Sequence, residues 1–342
     1  MAQPRQQPPS ELREHPAVVA WGRIAPSSTA PELVSVLKRK AKGSVYRLTG
    51  VGKDGTDVIA KRCRQDKGRV ESLVYRELYP RLPVATLHFY GSVQEEAGGF
   101  GWLFLEDVGD RPYRPEVPEH RRAAGHWFGL AHALAKDLEL RSQLPDRGPE
   151  FHHAYLSHVL EALPEILAER TLDAGGRTLL REIIEQCEHV AGHWHRVDAF
   201  CRGLPRTLVH GDCLRKNVHV RSTRDGVNVV PFDWGGAGWG LIATDLGQLA
   251  LPYRGARPVD PDLGAYLAVV EGCWPDLDRP TVEQLANLGQ LFWCLKVLSR
   301  EIPAFDYEWA TTDATLANFR IYAAALADAL ARASWLPGPS AA

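Results

Sequence analysis

Apolar residues follow two spacings along the chain. Short alternating runs fill the first third, and spacings of three and four fill most of the remainder. Leu33 to Lys38 are mostly apolar, Val45-Tyr46-Arg47-Leu48 alternates, and Val58-Ile59-Ala60-Lys61 returns after the turn Gly52-Lys53-Asp54-Gly55, so residues 31–64 predict three strands. Over residues 69–79 Val70, Leu73, Val74 and Leu78 share one helix face. Leu87 to Tyr90 and Gly101 to Leu105 predict two more strands. Helices are expected over 118–141, 150–172, 175–201, 262–273, 280–300 and 312–333. Residues 207–250 interrupt this helical half. Thr207 to Val209 is an apolar run, and Val218 to Arg221 and Val229 to Phe232 predict a hairpin reversing at Asp225-Gly226. Gly235 to Gly240 is expected to be flexible, and Thr244-Asp245-Leu246 to open a helix capped by Thr244 or Asp245.

Composition narrows the class. With 342 residues, 45% hydrophobic and 24% charged, the chain has the make-up of a soluble globular protein. The expected division is a flexible N-terminal tail over 1–20, a small lobe over 21–107, a larger lobe over 108–336 and a flexible tail over 337–342. A net charge of −2 argues against a nucleic-acid binder. No apolar run reaches membrane-spanning length, and the N-terminus lacks the apolar core of a signal peptide. Six scattered cysteines without a CxxC pair fit a reducing, cytoplasmic setting. Cys213 reads as a packing residue and His132 as a packed or helix-surface histidine. His189 and His193 could share a helix face around zinc, but no third ligand is evident, and the plainer reading is helix-surface histidines.

The chemistry lies in the interruption. Asp212 follows His210-Gly211, Asn217 comes five residues later, and Asp233 ends the return strand. One hairpin thus gathers three oxygen-bearing side chains. Hard divalent ions take such oxygens and complete their shell with phosphate oxygens. A carboxylate close to the metal can accept a proton from a substrate hydroxyl. The competing reading is a buried hairpin with capping Asp and Asn residues.

The ordered set 212–217–233 resembles the aminoglycoside phosphotransferase and choline kinase family. The resemblance implies an α+β, bilobal, protein-kinase-like fold, with a small antiparallel-sheet lobe binding nucleotide and a larger, mainly helical lobe carrying the catalytic loop and acceptor site. It implies ATP, with GTP an alternative, and Mg²⁺. It assigns Asp212 to the acceptor hydroxyl, Asn217 and Asp233 to the metal, and His210 and Asp245 to bracing the loop. Lys61 would hold the α/β-phosphates. Its helix partner would be Glu71, counting back from Leu82-Pro83-Val84, with Glu77 the alternative. Gly43 and Ser44 would lie over the phosphates, and the backbone at Glu106 and Val108 would meet the adenine edge.

The chain departs from the family pattern at Cys213-Leu214-Arg215-Lys216. Arg215 and Lys216 are candidates to stabilise transferring charge, the alternative being that they face solvent. Glu301, Asp306, Tyr307, Glu308 and Trp309 mix carboxylates with aromatics and suit a polar or cationic acceptor, the alternative being a helix connection. The expected function is ATP- and Mg²⁺-dependent phosphorylation of a hydroxyl on a small molecule, an antibiotic of aminoglycoside or related type. The alternatives are a metabolite kinase acting on a sugar or amino alcohol, and a non-catalytic nucleotide-binding protein of kinase fold. His-Gly-Asp, and the lack of Ala-Pro-Glu after Asp233, argue against a protein kinase. No nucleic-acid, membrane or protein partner is implied.

Overall fold

The computed structural model describes residues 9–27, 29–40, 43–224, 226–251, 259–306 and 311–336. Two helices come first, α1 (Pro9–Glu14) and α2 (Pro16–Ile24). The expected flexible tail over 1–20 is corrected here for residues 9–20; residues 1–8 and 337–342 lie outside the described residues. Pro16 suits the first turn of a helix, and His15 accepts from the Ala17 N–H at 3.2 Å. The helix then buries Ala17, Ala20 and Trp21 in a small core with Leu48, Val58, Ala60, Trp102 and Phe104. The apolar stripe, rather than distance from the terminus, decided the order of this segment.

That core lies on a five-stranded antiparallel sheet. Its strands are β1 (Val34–Lys40), β2 (Gly43–Leu48), β3 (Val58–Arg64), β4 (Phe89–Gln94) and β5 (Phe100–Glu106), in the order β1-β2-β3-β5-β4. Helix α3 (Gln65–Glu77) crosses between β3 and β4 and starts four residues earlier than the apolar spacing suggested.

The larger lobe is mainly helical. Helix α4 (Pro118–Lys136) leads into the two-residue strand β6 (Asp146–Arg147), then α5 (Pro149–Glu169), α6 (Ala174–Gly192) and α7 (Trp194–Cys201). The single helix expected over 175–201 is two, divided at His193, which leaves helical geometry (φ −116°, ψ 13°). Strands β7 (Arg206–Val209), β8 (Val218–Thr223), β9 (Gly226–Pro231) and β10 (Gly238–Leu241) follow, then α8 (Thr244–Leu249), α9 (Leu263–Val270), α10 (Arg279–Glu301) and α11 (Thr312–Arg332). β8 and β9 pair as the expected hairpin; Asp225 at its tip lies outside the described residues.

The glycine run 235–240 is not a flexible link throughout. Its second half enters β10, which pairs antiparallel with β7 and parallel with β6. A Cβ on Gly240 would come within 2.6 Å of Val209. Close packing, not freedom, explains that glycine. The same holds where α8 crosses α10. A Cβ on Gly247 would sit 1.9 Å from the Ala286 carbonyl oxygen, and one on Gly289 would sit 1.9 Å from that of Thr244. These two glycines let the helix after the candidate loop press against the longest helix of the lobe. No helix among the described residues is long and apolar enough to cross a membrane.

Candidate active site

Strand β7 delivers His210-Gly211-Asp212 to a cleft, and the loop is held from behind. Asp245 in α8 accepts from the His210 N–H at 2.7 Å and the Gly211 N–H at 3.1 Å. Burial opposes charge on Asp245, but these donors and the nearby His132, 3.6 Å away, hold it below the ordinary carboxylate range. His132 is also bonded to the Tyr266 hydroxyl at 2.8 Å, a buried bracing position. His210 is fully buried, and burial keeps its imidazole neutral. Its Nε2 donates to the Phe232 carbonyl at 3.0 Å, while Nδ1 accepts from the Asp212 N–H at 3.4 Å. Gly211 takes a left-handed conformation (φ 69°), where a side chain would also meet the Gly236 carbonyl oxygen at 2.8 Å. Cys213 is buried, its N–H donates to Gln248 at 2.8 Å, and burial raises its thiol pKa, so it packs rather than reacts.

Three side chains surround Asp212. Asn217 donates both amide hydrogens to it, at 2.9 Å to the carbonyl and 3.1 Å to Oδ2. Lys216 lies 3.2 Å from Oδ2, and Lys296 from α10 lies 3.5 Å from Oδ1. Lys296 also donates to the Gly211 carbonyl at 2.6 Å. Burial alone would raise the Asp212 pKa; Lys296 and Lys216 outweigh it, and the carboxylate is held below its ordinary range. Arg215 opens the single 3₁₀ turn Arg215–Asn217 and is half-buried.

Across the cleft, Lys61 at the centre of β3 bonds Glu71 Oε2 and Asp233 Oδ1, each at 2.6 Å. Glu77 instead pairs with Arg76 and Arg81 on the helix surface. Burial disfavours the charge on Lys61, but the two carboxylates raise its pKa overall. Glu71 is fully buried and also accepts from the Tyr75 hydroxyl at 3.1 Å; that hydroxyl accepts from the Asp233 N–H at 3.2 Å. Asp233 itself is left-handed (φ 66°, ψ 52°), a region few non-glycine residues enter, Asp among them. Burial pushes its pKa up, Lys61 pulls it further down, and the result is about 2.

The two metal candidates have suitable donors. Asn217 commits its amide hydrogens to Asp212, which leaves its carbonyl oxygen as the acceptor. Lys61 engages one oxygen of Asp233 and leaves the other. Both are hard oxygen donors of the kind Mg²⁺ takes. Gly43 and Ser44, expected over the phosphates, open β2 and pair with Lys40 and Arg39 at the β1–β2 turn, whose residues 41–42 lie outside the described set. The Glu106 side chain is committed to Arg221 at 2.6 Å and the His88 N–H at 2.8 Å, and the Glu106 N–H to the His88 carbonyl at 2.8 Å. Val108 N–H has no partner among the described residues and is available to a ligand.

Of the expected acceptor residues, the two described ones, Glu301 and Asp306, do not line the cavity. Glu301 accepts from Asn318 at 2.6 Å, and Asp306 is paired with Arg170. Both carboxylates are thus engaged by other side chains. Tyr307, Glu308 and Trp309 lie outside the described residues. A cavity of about 510 Å³ opens instead between the lobes, and Lys61, Asp212 and Asp233 are among its walls. Phe151, His152 and Tyr155 from α5, and Phe292, Lys296 and Arg300 from α10, supply another wall, with Lys67 and Arg147 at its side. The sequence reading missed Lys296. Its signal was a lysine inside the apolar run Leu291-Phe292-Trp293-Cys294-Leu295-Lys296-Val297-Leu298, where a charge is retained only with a buried partner. Arg147 carried no such signal.

The histidines read against zinc remain ordinary. His193 bonds the His189 carbonyl through Nδ1 at 2.8 Å, which closes the end of α6.

Residues 34–281 match the APH family, described as the phosphotransferase enzyme family. No curated protein matches the chain. Solved structures share the fold at low identity. A spectinomycin phosphotransferase, in complex with ADP and spectinomycin, is 10% identical with a TM-score of 0.61, covering 91% of this chain and 98% of that one. A microcompartment-associated aminopropanol kinase is 12% identical with a TM-score of 0.58, covering 89% and 91%. An ethanolamine kinase of Plasmodium vivax is 13% identical with a TM-score of 0.53, covering 86% and 82%. With the bilobal fold, the braced His210-Gly211-Asp212 loop and a family match spanning most of its length, the chain belongs to the APH phosphotransferase family, enzymes that phosphorylate hydroxyl groups of small molecules.

Proposed function

We propose that this enzyme transfers the γ-phosphoryl group of ATP to a hydroxyl of its acceptor, with Asp212 as the base. The observation that carries this reading is that two carboxylates from one hairpin line one cavity, each held by its own partners. Asp212 is ionised and fixed by Asn217, Lys216 and Lys296; Asp233 is ionised and tied through Lys61 to buried Glu71. Asp212 orients the acceptor oxygen and takes its proton as the oxygen attacks phosphorus. Lys61, set by Glu71, holds the α/β-phosphates, with the β1–β2 turn at Gly43 and Ser44 above them. Asn217 and Asp233 would hold the metal, which would supply positive charge to offset that of the phosphates. The free N–H of Val108 meets the adenine edge. Lys216, beside Asp212, supports charge at the transfer site more directly than Arg215. His210 and Asp245 keep the loop in place.

An antibiotic of aminoglycoside type and a metabolite are both acceptors the family allows. The cations lining the cavity favour a metabolite over a polycationic antibiotic. The test is ADP formation from ATP and Mg²⁺ across a panel of aminoglycosides, sugars, amino alcohols and hydroxy acids. Asp212→Asn is expected to lose turnover while still binding nucleotide. Full turnover in that variant would show that another group takes the proton.

A further inference from the structure

The cavity as a whole is lined by more cations than anions. Lys61, Lys67, Arg147, Lys296 and Arg300 line it, against the carboxylates of Asp212 and Asp233 alone among the described residues. Lys61 is matched by Glu71 and Asp233, and Lys296 is partly matched by Asp212. Among the described residues, Lys67, Arg147 and Arg300 have no carboxylate partner. Lys296 and Arg300 are one turn apart on α10, a like-charge spacing that costs a helix stability unless an anion offsets it.

The surroundings fix Arg147 rather than letting it drift, while Lys67 and Arg300 are exposed at the cavity's edge. The Arg147 guanidinium lies over the Phe151 ring at 4.1 Å, and its Nε donates to the Gly236 carbonyl at 3.1 Å. Tyr155, in the cavity wall, feels both Arg147 and Arg300. His152 stacks on Phe292 at 3.9 Å, and its Nδ1 is buried without a hydrogen-bond partner among the described residues. Burial first, then Lys296 and Arg147, lower its pKa to about 3, so it adds no charge of its own. Two arginines with planar forks, an aromatic floor and a neutral imidazole make a site for a planar or tetrahedral anion.

We propose that the acceptor of this kinase carries an anionic group, a carboxylate or a phosphate, besides the hydroxyl it presents to Asp212, and that Arg147 and Arg300 bind that group. The inference rests on the kinase reading above and names its substrate class. An acceptor of this kind would leave its hydroxyl toward Asp212 and its anion toward the α5–α10 wall. Lys296 stands between the two, with its amine already on the loop.

The test uses matched sets that differ only in charge. Glycerate and glucuronate supply a carboxylate, glycerol 3-phosphate and glucose 6-phosphate supply a phosphate, glycerol and glucose are neutral, and serinol and glucosamine are cationic. Binding is measured by calorimetry with a non-hydrolysable ATP analogue and Mg²⁺ present, and again without nucleotide; turnover is read as ADP formed. At least one anionic member is expected to bind about tenfold or more tightly than its neutral and cationic partners. Arg300→Glu is expected to remove that preference while leaving the KM for ATP unchanged, and Arg147→Gln, which keeps a polar side chain, to weaken it. The proposal is overturned if no anionic member binds, if the cationic members bind best, or if Arg300→Glu changes only the KM for ATP. The kinase reading is judged separately, by nucleotide binding and by turnover that Asp212→Asn removes. If nucleotide did not bind, the nucleotide-free titrations would still decide the charge preference.

Discussion

Lys296 donates to the Gly211 carbonyl at 2.6 Å and stands 3.5 Å from Oδ1 of Asp212. A side chain of α10 thus holds the loop that β7 delivers, and does so from within the core. Burial lowers the Lys296 pKa, and Asp212 only partly restores it. The lysine therefore tunes both the position and the charge of the carboxylate it touches. Lys296→Met is expected to lower kcat by about tenfold to a hundredfold with little change in nucleotide affinity. Steady-state kinetics, with the KM for ATP separated from kcat, checks this; a change confined to the KM for ATP would place Lys296 on the nucleotide instead.

Glu71 is fully buried, while Lys61 lines the cavity and keeps a second partner in Asp233, so removing Glu71 strips Lys61 of its buried partner only. Glu71→Ala is expected to destabilise the protein by about 1–3 kcal/mol and to raise the KM for ATP. Glu77→Ala, which removes surface pairs, is expected to stay within about 0.5 kcal/mol of the parent. Urea unfolding of the two variants distinguishes a buried pair from a surface one.

Metal dependence follows from Asp233. Chelation by EDTA is expected to stop turnover, and added Mg²⁺ to restore it. Asp233→Asn is expected to raise the Mg²⁺ concentration needed by about tenfold or more, seen as a shift in the Mg²⁺ titration of ADP formation. An unchanged titration would remove Asp233 from the metal site.

Acid sensitivity has two windows. His152 has a folded-state pKa of about 3 against an ordinary 6.5, so the unfolded chain takes up its proton first as pH falls. Stability is expected to decline from 6.5 toward 3 on this account. Asp233 acts in the same sense at lower pH. Its depressed value stabilises the fold above the ordinary 3.8, and that contribution is lost as pH falls through about 2. Calorimetric Tm values between about pH 4 and about pH 8 therefore report mainly the histidines. His152→Phe, which keeps the stack on Phe292, is expected to flatten that slope; an unchanged slope would assign it to other groups.

The crossing of α8 and α10 tolerates no Cβ. Gly247→Ala and Gly289→Ala would each drive a methyl into a backbone oxygen at 1.9 Å. Each is expected to cost at least about 1–3 kcal/mol and, by moving α8 with Asp245, to lower kcat as well. A variant with the parent's Tm and kcat would show that the helices can separate without consequence.

Periodicity made most elements legible. Alternation found the five strands of the small lobe, and spacings of three and four found the long helices, because both patterns report which side of a local element is buried. The spacing of Asp212, Asn217 and Asp233 marked the site, since one hairpin is enough to assemble it. Where the reading failed, the cause lay outside the element. Residues 9–24 were assigned mostly to a flexible tail, yet Trp21 has a core waiting on the sheet. Gly238 and Gly240 were read as loose, yet a strand lies against them.

By itself, then, the sequence determined the two-lobed order of strands and helices and the residues of the Asp212 loop. These depend on contacts within a few dozen residues. Tertiary structure alone decided what faces Asp212. Arg147 precedes it by a helix-rich segment and Lys296 and Arg300 follow on α10, so only the pairing of β6 with β10 and the packing of α10 onto the loop bring their charges into one cavity. Glu301, next to Arg300 in the chain, points to Asn318 instead. Adjacent helix positions differ by about 100° in direction, and that rotation turned the expected acidic acceptor wall into a basic one.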